Sequence, residues 1–189
     1  MSHRVSIIKN TAWLFTAEVI SMILLSIGGL LLVRLWGNAV YGIYGFAVSF
    51  VSLFGFLIDF GLPTLLINQL SQRRDEIQHF IKNYTVFKVV LAIAAFSLIT
   101  LVIGLTDKPT DVKVIVLFMA CNVVIGSFIT FYYSVFRAFE QMKFEATFKM
   151  IFNALSLVLI IAVLIGHWQL RSYVIASVVL TILNLAVLL

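Results

Sequence analysis

Charge is scarce in this chain. Only 11% of its 189 residues are Asp, Glu, Lys or Arg, where a soluble domain carries about 25%. With 62% hydrophobic residues and a mean hydropathy of +1.13, the shortage excludes an ordinary soluble fold. Cysteine is scarcer still. Cys121 stands alone in an apolar run, which excludes an internal disulfide, and a single thiol does not make a metal site. Three histidines, His3, His79 and His167, fall at separate ends or loops without ligand spacing. No zinc motif, phosphate loop or nucleophile elbow occurs, and no nucleophile–base set suggests an enzyme. A net charge of +5 and a pI near 9.5 would suggest nucleic acid in a soluble chain. Here the charges lie in short loops, where they set membrane orientation instead, so no nucleic-acid partner is expected.

What the chain has in abundance is long apolar runs. The expected fold class is all-α: a polytopic transmembrane bundle of about six helices forming a single domain over residues 1–189. Spans are expected at about 11–33, 40–69, 84–105, 113–136, 148–168 and 172–189, each long enough for a bilayer core of about 30 Å. The first run follows Arg4 and Lys9, as a signal peptide would. It is too long for that, and the flank Leu35-Trp36-Gly37-Asn38 offers no small-x-small cleavage site. It reads as a retained helix. The chain is still apolar at Leu189, and the expectation is the front part of a longer protein, cut within or at the end of helix six.

Loop charges predict a cytoplasmic N-terminus. Arg4, Lys9, Arg73, Arg74, Lys82, Lys88, Arg137, Lys143 and Lys149 then fall on or near the inner side. Arg34, Lys108, Lys113 and Arg171 fall outside, the middle two offset by Asp107 and Asp111. Trp36 and Trp168 land at the outer interface and Trp13 at the inner one, where indoles settle. Two inner connections look structured. Residues 71–83 mix both signs of charge, and the run from Phe136 to Lys149 reads as an amphipathic helix lying on the inner leaflet, with Glu145 four before Lys149.

The second span carries the most unusual residues. Pro63 removes a backbone donor, and Gly61 weakens the same turn, so a helix break is expected there. Asp59 precedes it at membrane depth, where an ionisable group faces a protein interior or a wet cavity. Glu18, Arg34 and Lys88 are the other ionisable residues within or beside the first three spans. They are candidates for a charged cavity handling an anionic substrate or a coupling ion. The bland reading makes Asp59–Lys88 or Glu18–Lys88 structural pairs. Asn122, Asn153 and Asn184 recur in the last three spans. A sugar hydroxyl or a neighbouring helix would satisfy each, and the second is commoner. Tyr41 and Tyr44 flank Gly42 and Gly45 at the start of the second span, suiting either a sugar ring or an interfacial belt.

Three stretches carry a family resemblance. Leu31-Leu32-Val33-Arg34-Leu35-Trp36-Gly37-Asn38-Ala39-Val40-Tyr41-Gly42-Ile43-Tyr44 resembles the signature after the first helix of oligosaccharide flippases of polysaccharide biosynthesis. These are the O-antigen and capsule repeat-unit exporters of the multidrug/oligosaccharidyl-lipid/polysaccharide superfamily. Ile58-Asp59-Phe60-Gly61-Leu62-Pro63-Thr64 is similar to that family's motif in helix two. Phe136-Arg137-Ala138-Phe139-Glu140-Gln141-Met142-Lys143-Phe144 is similar to its link between helices four and five, with Ala138 in place of the usual Gly. Trp36 replaces a commoner Leu. The resemblance covers essentially the whole chain and does not identify the sugar.

The resemblance implies the N-terminal lobe of a two-lobe, alternating-access transporter of the bacterial inner membrane. Its cargo would be a polyprenyl-pyrophosphate-linked oligosaccharide. Arg34 would take the pyrophosphate, and Asp59 or Glu18 would bind a coupling H+ or Na+ or switch a salt bridge. No cofactor is implied. Partners would be the bilayer, the C-terminal lobe and a glycan polymerase or ligase. The rival readings are a cation-coupled drug or metabolite antiporter of the same superfamily and a non-transporting scaffold for glycan assembly.

Overall fold

The computed structural model describes residues 2–72, 77–139 and 141–189. Arg73, Arg74, Asp75 and Glu76 lie outside the described residues, as do the side chains of Arg4 and Lys9. The described chain is all α, without strands: α1 Ser2–Asp59, α2 Leu62–Gln72, α3 Ile77–Gly104, α4 Thr110–Ala138, α5 Met142–Ile165 and α6 Leu170–Leu188. Among the described residues, five stretches are long and apolar enough to cross a membrane: Ala12–Asn68, Ile81–Gly104, Thr110–Ala138, Met142–Ile165 and Leu170–Leu188. The two segments expected at 11–33 and 40–69 both fall within the first of these.

That first stretch is 57 residues, which as a straight helix would run about 85 Å, far beyond any bilayer. It does not run straight. Gly37 has φ 70 and ψ 174, non-helical values in the middle of α1. The neighbours show that the chain turns back there. Before Gly37, Glu18, Ser21 and Trp36 pair in order with Lys149, Asn153 and Trp168, so this half runs parallel to α5. After Gly37, Gly55 packs beside Val123, while Leu66 in α2 clusters with Phe131. The second half therefore runs parallel to α4. Because α5 returns antiparallel from the end of α4, where Arg137 meets Glu145, the halves of α1 run in opposite directions.

The Gly37 conformation is one that essentially only glycine adopts. A Cβ there would meet nothing within 4 Å, so the cost of a side chain is backbone strain alone. Gly37→Ala is expected to destabilise the chain by about 1–3 kcal/mol, read from reversible unfolding in bicelles. An unchanged midpoint would show that the reversal does not depend on this glycine.

The main core gathers Leu32, Ala47, Val51, Ile99, Ile103, Val116, Val163 and Val174 from α1, α3, α4, α5 and α6. A second cluster joins Leu66 of α2 to Phe131 and Ala138 of α4, and a third joins Ile58 to Ala92 and Ala95 of α3. Outside these seams the bundle shows large apolar side chains: Phe15, Leu30, Leu53 and Phe56 are each about 70% exposed. A surface this apolar is stable against lipid and not against water. The chain is a multi-pass membrane protein.

One expectation fails. The run from Phe136 to Lys149 is not a single amphipathic helix on a leaflet. α4 continues to Ala138, the chain turns through Phe139, and α5 starts at Met142. Glu145 and Ala146 are fully buried, so this end of α5 is inserted between its neighbours.

Candidate functional site

The break after α1 places the most distinctive pair. Phe60 and Gly61 take positive φ, 36 and 75, which stops the helix directly after Asp59. α2 restarts at Leu62, so Pro63 falls in its first turn, where a missing N–H removes no helical bond. Asp59 is thereby held at the end of a helix facing α3. Lys88, on α3, donates to Asp59 Oδ1 at 2.8 Å. Its Nζ also lies 5.6 Å from the Phe128 ring centre and 6.0 Å from that of Phe131, both on α4.

The two partners differ sharply in access. Lys88 is 0% exposed and Asp59 is 38% exposed. The lysine stem turns inward, not toward the surface. Its ammonium is sealed by the carboxylate on one side and two aromatic rings on the other, a favourable place for a cation. The carboxylate keeps an open side.

Glu18 does not join this pair. It bonds Lys149 of α5 at 2.6 Å. A third pair closes the turn between α4 and α5: Arg137 Nε donates to Glu145 Oε2 at 2.7 Å, and its Nη2 donates to the other oxygen. This fork is the two-pronged geometry that guanidinium offers and ammonium does not. The expected Glu145–Lys149 pair along one helix is thus replaced by two pairs between elements. Phe148 stacks on Phe136 beside them, with centroids 6.4 Å apart and planes 9° apart.

The asparagines bond neighbouring helices. Asn122 of α4 donates to Ser177 at 3.0 Å and accepts from Thr181 at 2.8 Å, both on α6. Asn153 of α5 donates to Ser21 of α1 at 2.6 Å. The amide oxygen of Asn184 is buried without a partner among the described residues.

Arg34 stands apart from all of these. It is exposed, three residues before the Gly37 reversal, and makes no ion pair among the described residues. Asp59 lies 22 residues beyond Gly37, about 33 Å along the helix. The structure brings Asp59 to Lys88 and Glu18 to Lys149, and places Arg34 toward the opposite end of the bundle.

Sequence reasoning missed Arg137–Glu145 and Glu18–Lys149. Both partners of the first lie either side of a turn that has no Gly or Pro to announce it. The second joins residues 131 apart, a separation that no local spacing reveals.

Three hollows lined by described residues open on the bundle surface. Two are apolar grooves along α3, one beside Phe128 of about 320 Å³ and one beside Phe60 of about 240 Å³. The third, about 630 Å³, lies at the Gly37 end between Trp36, Asp111 and Trp168. Asp59, Glu18 and Arg34 line none of the three.

In comparison with known families, residues 7–189 match a model described as polysaccharide biosynthesis protein. No curated protein and no solved structure matches the chain.

Proposed function

The chain belongs to the polysaccharide biosynthesis protein family of membrane flippases, and from that premise we propose that it moves a polyprenyl-pyrophosphate-linked oligosaccharide from the inner to the outer leaflet. The reading needs no covalent chemistry. It takes the chain as one lobe of an alternating-access transporter, working against a second helical bundle, in a bacterial inner membrane with the N-terminus inside.

The observation that supports it most directly is the half-open ion pair at the helix break. Asp59 is accessible, Lys88 is sealed, and the pair bridges α3 and the α1–α2 junction. When H+ or Na+ takes the carboxylate, Lys88 loses its counter-charge while still enclosed by Phe128 and Phe131. The junction is then driven to a new position relative to α3. An exchange of this kind couples a cation to a shift between helices, which is what alternating access requires. Arg34, free of any described acidic partner near the other end, is the group assigned to the pyrophosphate as cargo arrives there.

The test is export of lipid-linked glycan in cells carrying the gene, with protein level measured in parallel. Asp59→Asn and Arg34→Ala are each expected to lower surface glycan about tenfold, equivalent to about 1.4 kcal/mol on the limiting step. Normal glycan in both variants would remove these residues from the transport path. Cation-driven drug efflux with an unaltered glycan phenotype would favour an antiporter instead.

A further inference from the structure

The 630 Å³ hollow lies at the end of the bundle away from the ion pairs, and none of the family's motif charges line it. It is lined by two indoles, Trp36 and Trp168, by six aliphatic side chains, and by Asp111, His167, Gln169 and Arg171. Its volume is within the roughly 300–1,000 Å³ of small-ligand sites. We propose that this hollow binds a neutral sugar residue, stacking the pyranose on indole and holding its hydroxyls with Asp111, Gln169 and Arg171. The identification of the sugar as part of a transported glycan rests on the proposed function. The binding itself does not.

The indoles are fixed before any ligand arrives. Trp36 Nε1 donates to the Trp168 carbonyl at 3.0 Å. An indole serving only as an interfacial anchor turns its N–H toward water and headgroups, whereas this one is tied inward to the next loop. Tyr173 braces Trp36 edge-on at 5.3 Å, and Tyr44 packs on both rings at 6.4 and 5.9 Å. Those two tyrosines form the backing of the wall, and Tyr173 is itself buried. Of the two indoles that line the hollow, Trp168 is the more open, at 42% exposed.

The turn that presents Trp168 is strained. His167 has φ 49, unusual for a residue with a side chain. Such conformations persist where surrounding structure holds them, and they concentrate at binding sites. Gly166 makes this one feasible. A Cβ there would lie 2.5 Å from Trp168 Nε1 and 3.2 Å from the Ala162 carbonyl, so any side chain expels the indole. The turn is therefore shaped around the position of one aromatic face.

The polar groups select the ligand class. Asp111 accepts from hydroxyls, Arg171 donates, and Gln169 does both. One carboxylate and one guanidinium leave the mouth without net charge, which favours a neutral sugar over a bare phosphate. Asp111 is in the first turn of α4. Arg171 and Gln169 flank the start of α6, so the first turns of two helices bring polar groups to one hollow.

The experiment is saturation-transfer NMR on the whole chain in phospholipid nanodiscs, free of glycosidic detergent. The probes are methyl glucoside, methyl galactoside and N-acetylglucosamine, with glycerol and inorganic phosphate as controls. At least one sugar is expected to bind, and the controls are not. Trp168→Ala and Gly166→Ala are each expected to weaken binding about tenfold, and Trp168→Phe to retain a measurable part of it. Asp111→Asn keeps size while removing charge, and is expected to weaken binding several-fold. Thermal melts of each variant establish that it folds. Failure of every sugar to bind, equal binding of glycerol, preference for phosphate, or full binding by folded Trp168→Ala and Gly166→Ala would each overturn the proposal. If sugar binds and cells lacking the chain export lipid-linked glycan normally, the hollow stands and the flippase reading falls. If export depends on Asp59 and no sugar binds, the reverse holds.

Discussion

Truncating Arg137 to alanine is expected to destabilise the folded chain by about 3 kcal/mol, among the larger effects available from one surface-facing residue. The size comes from the residue left behind. Glu145 is 0% exposed and Arg137 is 37% exposed. Removing the guanidinium strands an enclosed carboxylate, whereas removing the carboxylate leaves a guanidinium that still reaches solvent or headgroups. Glu145→Ala is therefore expected to be the milder change, at about 1–2 kcal/mol. Arg137→Lys restores charge without the fork and is expected to recover only part of the loss. Replacing both partners with Met and Leu is expected to return most of the stability, because a dry seam tolerates apolar side chains better than one orphaned charge. Reversible unfolding in bicelles reads all four. A double variant no better than Arg137→Ala would mean that the pair acts through something other than stranded charge.

Asp59→Ala is expected to cost about 2–3 kcal/mol, slightly less than the Arg137 change even though it strands a fully buried ammonium. Two features of the site reduce it. Phe128 and Phe131 remain within 6.0 Å of the Lys88 nitrogen, and a desolvated cation over rings retains about 2 kcal/mol of attraction. Asp59 also starts 38% exposed, so its loss opens a path for a water to reach Lys88. Adding Lys88→Met to Asp59→Ala is expected to recover the stability. On the flippase reading it does not recover export, because a thioether cannot answer to a cation. Stability and transport thus separate in one pair of variants. Export restored together with stability would reduce Asp59–Lys88 to a packing element.

Much of the architecture was legible because lipid imposes simple demands. A helix apolar on every face must be enclosed or in a membrane, and the chain has too little polar surface to enclose so many. The family motifs around Arg34, Asp59 and Arg137 were legible for a different reason: they mark places where the backbone must turn or a charge must be held. The Gly37 reversal and the Phe60–Gly61 break both fall inside them. What the sequence hid is partner choice. Lys88 had two acids within plausible reach, Glu18 and Asp59. Only the antiparallel packing of α3 against the second half of α1 decides for Asp59. Glu145 looked like a local partner for Lys149 because their spacing of four is right along a helix. The turn after Ala138 gives it Arg137 instead. The hollow at the Gly37 end was invisible for the same reason, since Trp36 of α1, Asp111 of α4 and Trp168 between α5 and α6 are connected by no spacing rule.

The two rims of this bundle are fastened by unlike forces. One is clasped by rings packed edge to face around Trp36 and Tyr173, which neither acid nor salt disturbs. The other is clasped by Glu18–Lys149, Arg137–Glu145 and, just within it, Asp59–Lys88. Substitutions that break those ion pairs are expected to loosen the second rim and leave the first closed. The bundle is thus laced by uncharged rings at one end and by opposite charges at the other.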